Sequence, residues 1–214
     1  MAIKKTDFFS RSAGFVAVLA LLLPLVAVPA PTIAEESGDM PMHFQANVMV
    51  QAGSGRPPGG RTTMIEIRIR EWTTEEERQQ VLSEIREASA GNQRSRNRAV
   101  ARALRGASTV GSMNLRAQTS WPIRYSRMTK LAEGGMRILL ATDRPVSFAE
   151  ALNQAALVGD FDVTVLELTF DAEGNGDGVL SVGTEVRWNS ETEKLEITNF
   201  SSQPVKLGNV RRTN

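Results

Sequence analysis

Apolar and polar residues alternate along most of the chain, and this period of two constrains the fold more than any other feature. From Met42 to Val48, apolar side chains occupy every second position, and His43 lies on the polar side of the pattern. The same alternation returns from Ile65 to Ile69 and in later segments. A period of two indicates strands with one buried and one solvated face. Because few helical patterns separate these segments, we expect the strands to pair antiparallel.

Helical patterns are fewer and short. Thr73 and Thr74 precede three glutamates, which is the hydroxyl cap and acidic first turn of a helix start. A second, arginine-rich helix is expected at 94–104, and a third after Pro145, over FAEALNQAAL. These patterns predict an α+β fold. Its core would be a mainly antiparallel sheet of about eight or nine strands, with two or three helices packed on one side.

Two details of the later strands are also readable. The alternation slips by one position near Leu166, which predicts a β-bulge in the strand at 161–170. Apolar residues from Leu180 to Trp188 predict one further strand.

The first residues are organised as an export signal. The positive beginning is formed by Lys4, Lys5 and Arg11. An uncharged run at 13–28 follows, which is shorter than the roughly 20 apolar residues of a spanning helix and contains Pro24. The small residues after this run end at Ala34, where we expect cleavage. The alternative is an uncleaved N-terminal anchor.

Cleavage at Ala34 divides the chain into three parts. Residues 1–34 are the signal peptide, 35–41 are a short lead-in, and 42–214 have the size of a single domain. The mature protein is expected to be exported, either periplasmic or secreted. The absence of cysteine excludes disulfides, thiolate metal sites and lipid attachment through a cysteine.

The charge is balanced in sum and uneven in distribution. The signal holds three of the 25 Lys and Arg and one of the 24 Asp and Glu, so a near-neutral mature protein remains. This balance argues against a nucleic-acid partner, and membrane contact is expected only through the signal peptide during export. Residues 88–132 contain nine basic residues and no acidic one, whereas 133–200 contain thirteen acidic and four basic residues. The two segments either neutralise each other within the fold or leave an anion-binding patch.

Five arginines are the candidates for such a patch. Arg68 and Arg70 share one strand face, and the other three lie on or beside later strands: Arg116, Arg124 and Arg127. If these faces are neighbours, the guanidinium groups would suit carboxylate, sulfate or phosphate groups. The alternative is that each arginine pairs with an acid on an adjacent strand.

The segment from Asp171 to Asp177 is a candidate calcium loop. Asp171, Glu173, Asn175 and Asp177 place oxygen side chains at alternate positions, as the start of an EF-hand does, and Asp171, Asn175 and Asp177 are the candidate ligands. Val182 stands where the bidentate glutamate belongs, and the flanking patterns are strands, so an EF-hand is excluded. Weak calcium binding and a simple hairpin loop both remain open, and no other cofactor is indicated.

No residue constellation specifies a reaction, so no catalytic residue is assigned. His43 is the only histidine, and no nucleophile-elbow motif is present. Two acidic residues could still converge as in a glycosidase.

The segments EWTTEEER, GGMRILLATDRPVSFAEA and NFSSQPVKLGNVR resemble those of small exported bacterial proteins of unknown function. That resemblance implies export and one compact domain, and no activity. Our leading hypothesis is a non-catalytic exported domain that binds a protein or an anionic envelope component. The alternatives are a carboxylate-type hydrolase acting on glycan and a calcium-stabilised interaction module.

Overall fold

A computed structural model describes most of the chain after the first 39 residues. The described residues are 40–50, 61–88, 91–115, 119–146, 163–182, 184–189, 194–199 and 205–213. The expected signal peptide with its cleavage at Ala34 and the expected helix after Pro145 lie outside these residues.

Ten strands and two helices make up the described part of the chain. The strands are β1 (Met42–Val50), β2 (Arg61–Ile69), β3 (Gly111–Leu115), β4 (Thr119–Lys130), β5 (Met136–Thr142), β6 (Thr164–Phe170), β7 (Gly176–Val182), β8 (Thr184–Asn189), β9 (Lys194–Asn199) and β10 (Val205–Thr213). The helices, α1 (Glu75–Ala88) and α2 (Gln93–Gly106), both lie between β2 and β3. Neither described helix is long and apolar enough to cross a membrane.

Eight of the strands form a closed antiparallel barrel. Their order is β1-β10-β7-β6-β5-β4-β3-β2, so β1 pairs with β2 on one side and with β10 on the other. The strands β8 and β9 form a separate two-stranded antiparallel sheet. Neighbours in the barrel order are consecutive along the chain with two exceptions: β8 and β9 intervene between β7 and β10, and the first strand β1 pairs with the last strand β10.

The predicted fold class is therefore wrong, although the predicted antiparallel pairing is confirmed. The described part of the chain is mainly β, a closed barrel with two short helices, and not an α+β fold with an open sheet. The alternation reports which face of each strand is buried, and an open sheet produces the same alternation. Closure depends on pairing between the first and last strands, for example His43 with Thr213. No local pattern encodes that pair.

The barrel interior is a packed hydrophobic core. Every barrel strand contributes residues to it, among them Phe44, Ile67, Met113, Ile138 and Leu168. Phe44 and Phe170 meet across the interior with ring centroids 5.3 Å apart and planes inclined by 36°. Burial of these large side chains is the main favourable contribution to the fold.

The helices α1 and α2 cover the outer face of β4, β5 and β6. Val81 and Ile85 of α1 pack with α2 residues such as Leu104 against Leu139 and Val165 of the barrel. The strands beneath the helices are thus buried on both faces, since Leu166 of β6 faces the interior while Val165 faces the helices.

This double burial explains why the bulge predicted near Leu166 is wrong. The strand β6 pairs with β5 and β7 in continuous register from Thr164 to Phe170. The apolar residues on both faces, and not an inserted residue, break the alternation. Extra residues occur instead in two other strands. One is in β4, between Ile123 and Tyr125. The other is in β10, between Leu207 and Arg211, where it shifts the pairing with both β1 and β7. The single strand predicted from Leu180 to Trp188 is also wrong, because that segment divides between β7 and β8.

Candidate functional site

The outer face of β1, β2 and β3, together with the beginning of β4, lies beside the helix-covered part of the barrel and carries a row of polar side chains. The register places His43 of β1 opposite Arg68 of β2. Arg68 lies in turn opposite Ser112 of β3, and Ser112 lies opposite Pro122 of β4. These residues alternate with interior residues such as Phe44, so they all belong to the outside of the barrel.

A groove of about 510 Å³ follows this row. We call it the His43 groove, and its lining residues are Pro41, His43, Arg68, Arg70, Thr109, Gly111, Ser112, Ser120 and Pro122. Two guanidinium groups, an imidazole and three hydroxyl groups therefore line one concavity, and no carboxylate is among these nine lining residues.

The two arginines of the His43 groove are held differently. The Arg68 side chain is 54% exposed, and its Nη2 atom lies 3.3 Å from Glu66 Oε2 on the same strand face. An exposed pair of this kind is weak, so Arg68 retains donors for a ligand. Arg70 donates from Nη2 to the Thr109 carbonyl oxygen at 2.5 Å, which fixes its guanidinium group at the wall of the groove.

Arg124, a predicted site residue, does not reach the groove. Its Nη1 atom donates to the Ala107 carbonyl oxygen at 3.2 Å and to Thr109 Oγ1 at 2.6 Å. Its Nε atom lies 3.4 Å from Oδ2 of Asp143, whose side chain is only 3% exposed. Arg124 thus neutralises a buried carboxylate and fixes residues 107–110, which connect α2 to β3.

Arg127 also points away from the groove. It lies opposite Leu139 on the face of β4 that meets the helices, and its charge acts on Glu75 at the start of α1. The pKa of Glu75 is lowered to about 2, chiefly because Arg78 and Gln79 donate hydrogen bonds to its carboxylate; Arg127 makes a smaller contribution. Arg116, the fifth candidate, lies outside the described residues.

The candidate calcium loop forms the turn between β6 and β7. Asp171 Oδ1 accepts a hydrogen bond from the Asn175 backbone N–H at 2.7 Å, and Asp171 Oδ2 accepts one from Asn175 Nδ2 at 3.0 Å. These bonds lower the pKa of Asp171, the side-chain bond from Asn175 most of all. Gly174 takes the positive φ of 85° that the turn requires. Asp177 lies on β7 opposite Thr169.

The carboxylate of Asp171 is thus directed at Asn175. Nowhere in the described part of the chain do three or more His, Cys, Asp or Glu side chains come together as metal ligands. We do not propose a calcium site here.

Sequence reasoning missed the hydroxyl-bearing part of the groove. Ser112 and Ser120 are separated from Arg68 along the chain, and only the pairing of β2 with β3 and of β3 with β4 brings them together. The one available signal was the alternation itself, which places Ser112 and Asn114 on the solvent side of β3.

Comparisons of this chain with protein-family models, with curated proteins and with solved structures found no match. The resemblance to small exported bacterial proteins accordingly stays an expectation, and the function is argued from the site alone.

Proposed function

We propose that the chain is an exported, non-catalytic binding domain that holds an anionic group of an envelope component in the His43 groove. The observation that carries this proposal is the convergence of Arg68, Arg70 and His43 on one concave surface without a lining carboxylate. Such a surface suits phosphate, sulfate or carboxylate groups, because guanidinium donors match their oxygen atoms in charge and geometry.

The remaining lining residues support the same ligand class. Ser112, Ser120 and Thr109 offer hydroxyl groups that can donate to oxyanions or to sugar hydroxyls. Arg70 is already oriented by the Thr109 carbonyl oxygen, so less side-chain entropy is lost when a ligand binds.

The hydrolase alternative has less support. A carboxylate-type hydrolase needs two acidic side chains that flank the bond to be cleaved, and the lining of the His43 groove contains neither Asp nor Glu. The carboxylate of Glu66 lies on the same face of β2, where it contacts Arg68.

The test uses the imidazole of His43, which is the only histidine of the chain and so gives an unambiguous NMR signal in untagged protein. Sulfate, inorganic phosphate and acetate are titrated at constant ionic strength. The variant is Arg68→Gln. Its matched control is Arg137→Gln on β5, because the Arg137 side chain is 52% exposed and also lies near one exposed glutamate, at 3.6 Å from Glu167.

We expect saturable shifts of the His43 signal with at least one of these anions. Affinity should fall about tenfold in Arg68→Gln, as expected for the loss of one charge-assisted contact, and should be unchanged in Arg137→Gln. Equal affinities in the two variants, or no saturable shift with any anion, would refute the proposal.

A further inference from the structure

A second basic surface lies on α2. Arg98, Arg102 and Arg105 are all exposed, and their spacing of four and three residues places them on one side of the helix. We call these three residues the arginine row. At a rise of about 1.5 Å per residue the row extends over about 10 Å.

The charges of the arginine row repel one another. Like charges three or four residues apart on a helix destabilise it by about 0.2–0.5 kcal/mol per pair. The helix α2 contains no acidic residue that could offset this repulsion. Within the described residues, no carboxylate forms an ion pair with Arg98, Arg102 or Arg105. An anionic partner would relieve the repulsion.

The buried face of α2 limits what that partner can be. Val100, Ala101 and Leu104 are buried against α1 and the barrel. A helix that lies in a membrane interface needs an exposed apolar face to insert, and the apolar face of α2 is already occupied. A straight row of guanidinium groups, one helical turn apart, instead suits a linear polymer with regularly spaced anionic groups.

The arginine row leads towards the His43 groove. Arg105 precedes Thr109, which lines the groove, by only four residues, a distance of at most about 14 Å along an extended chain. Thr109 is also held by Arg70 of the groove. The strand β4 contributes Pro122 to the groove and Tyr125 to the surface beneath the helices, so the two basic surfaces are neighbours around the barrel.

We infer that the natural ligand is a linear phosphate-bearing polyanion, one end of which occupies the His43 groove while the following phosphates lie along the arginine row. This inference rests on the proposed function, because the groove provides the first subsite. Linking the two sites on one polymer raises the affinity for long chains above that for a single anion, since the second contact becomes intramolecular.

The experiment measures binding of inorganic phosphate and of long-chain polyphosphate to the full-length protein over a range of salt concentrations. The test variant is Arg98→Gln/Arg102→Gln. The control is Arg137→Gln/Lys206→Gln, which removes two exposed charges from β5 and β10. Vesicles with anionic lipids are a further arm.

We expect the test variant to bind polyphosphate at least about tenfold more weakly than the control. The dependence of log K on log salt should become shallower by about 1.5, because two fewer phosphates are neutralised. Phosphate-induced shifts of the His43 signal should be the same in both variants.

Three results would overturn the inference. If the two variants bind polyphosphate equally while phosphate still shifts the His43 signal, the row is not part of the site and the groove proposal stands. If neither phosphate nor polyphosphate shifts the His43 signal, this inference fails, and the groove proposal fails with it only if sulfate and acetate also leave the signal unchanged. Binding to anionic vesicles without binding to soluble polyphosphate would identify a membrane surface as the partner instead.

Discussion

Arg124 pairs with Asp143 at the edge of the helix-covered side of the barrel, with 3.4 Å between Nε and Oδ2. The Asp143 side chain is 3% exposed and the Arg124 side chain is 21% exposed. The register shift between Ile123 and Tyr125 adds a residue to β4 at this point. A bulge of this kind redirects a side chain. Here the redirected side chain of Arg124 pairs with the carboxylate of Asp143, which directly follows β5.

Replacing the carboxylate should therefore be costly. In Asp143→Asn the guanidinium group of Arg124 loses its buried counter-ion, and we expect a loss of about 2–4 kcal/mol in the free energy of unfolding. Arg144, the second partner of Asp143, has a side chain that is 56% exposed and should contribute little. Urea unfolding measures the difference. Glu167→Gln, which removes the exposed carboxylate near Arg137, is the control, and we expect it to change stability by less than about 1 kcal/mol; a similar loss in both variants would contradict the prediction.

Thr73 and Ser126 are joined by reciprocal hydrogen bonds. The Ser126 backbone N–H donates to Thr73 Oγ1 at 2.8 Å, and the Thr73 backbone N–H donates to the Ser126 carbonyl oxygen at 3.1 Å. Both residues are buried, and the bonds fix the segment between β2 and α1 against β4. The substitution Thr73→Val keeps the shape of the side chain but leaves the Ser126 amide without its acceptor.

We expect Thr73→Val to lower the free energy of unfolding by about 1–3 kcal/mol, the usual cost of a buried unsatisfied donor. Thr73→Ser retains the hydroxyl and loses one methyl group, so its loss should stay near 0.8 kcal/mol, about the contribution of one buried methylene-sized group. Chemical denaturation of the two variants separates the hydroxyl from the methyl group. If Thr73→Ser were the more damaging change, the hydrogen bond would not be the stabilising element.

The strands could be predicted from the sequence, but the barrel could not. The alternation from Met42 to Val48 identifies the buried and solvated faces of β1, and the observed burial follows it. The same pattern does not show which strands pair with each other. The pairs of His43 with Arg68 and with Thr213 join residues far apart in the chain. Where helices cover the outer face, as at Val165, the alternation itself disappears because both faces are buried.

The candidate site was predictable to the extent that it depends on one strand. Arg68 and Arg70 are two residues apart, so a strand must place them on the same face, and both line the His43 groove. Arg124 was assigned to the same patch from its strand position. The direction of the Arg124 side chain depends on a bulge in β4 and on the buried Asp143, and neither feature can be predicted from local sequence. The arginine-rich α2 was predicted as a helix, but the direction of its exposed face required the packing of Val100 and Leu104.

Gly111 allows β2 and β3 to approach at the groove. A Cβ atom at this position would lie 2.2 Å from the Arg68 carbonyl oxygen, a backbone atom that cannot move aside without disturbing the pairing. Gly111→Ala should therefore lower the free energy of unfolding by about 3 kcal/mol or more. Gly106→Ala, at the end of α2, is the matched control, since a Cβ atom there meets no atom within 4 Å. Thermal unfolding of both variants tests the prediction, and a stable Gly111→Ala protein would mean that the strands separate more easily than their register indicates.

Glu75 should make the stability of the protein sensitive to acid. Hydrogen bonds from Arg78 and Gln79 lower its pKa in the folded state to about 2, from an ordinary value of 4.5. A lowered folded-state pKa stabilises the protein above the unfolded-state pKa, and this contribution is lost as the pH falls from about 4.5 towards 2. The Glu75 side chain is 45% exposed. We therefore expect its carboxylate to contribute less than about 1 kcal/mol to the free energy of unfolding at neutral pH. Urea unfolding of the protein and of Glu75→Gln is measured at several pH values. We expect a small stability difference at pH 7 that shrinks progressively below pH 4.5. A difference that does not change with pH would show that the carboxylate charge contributes nothing to the start of α1.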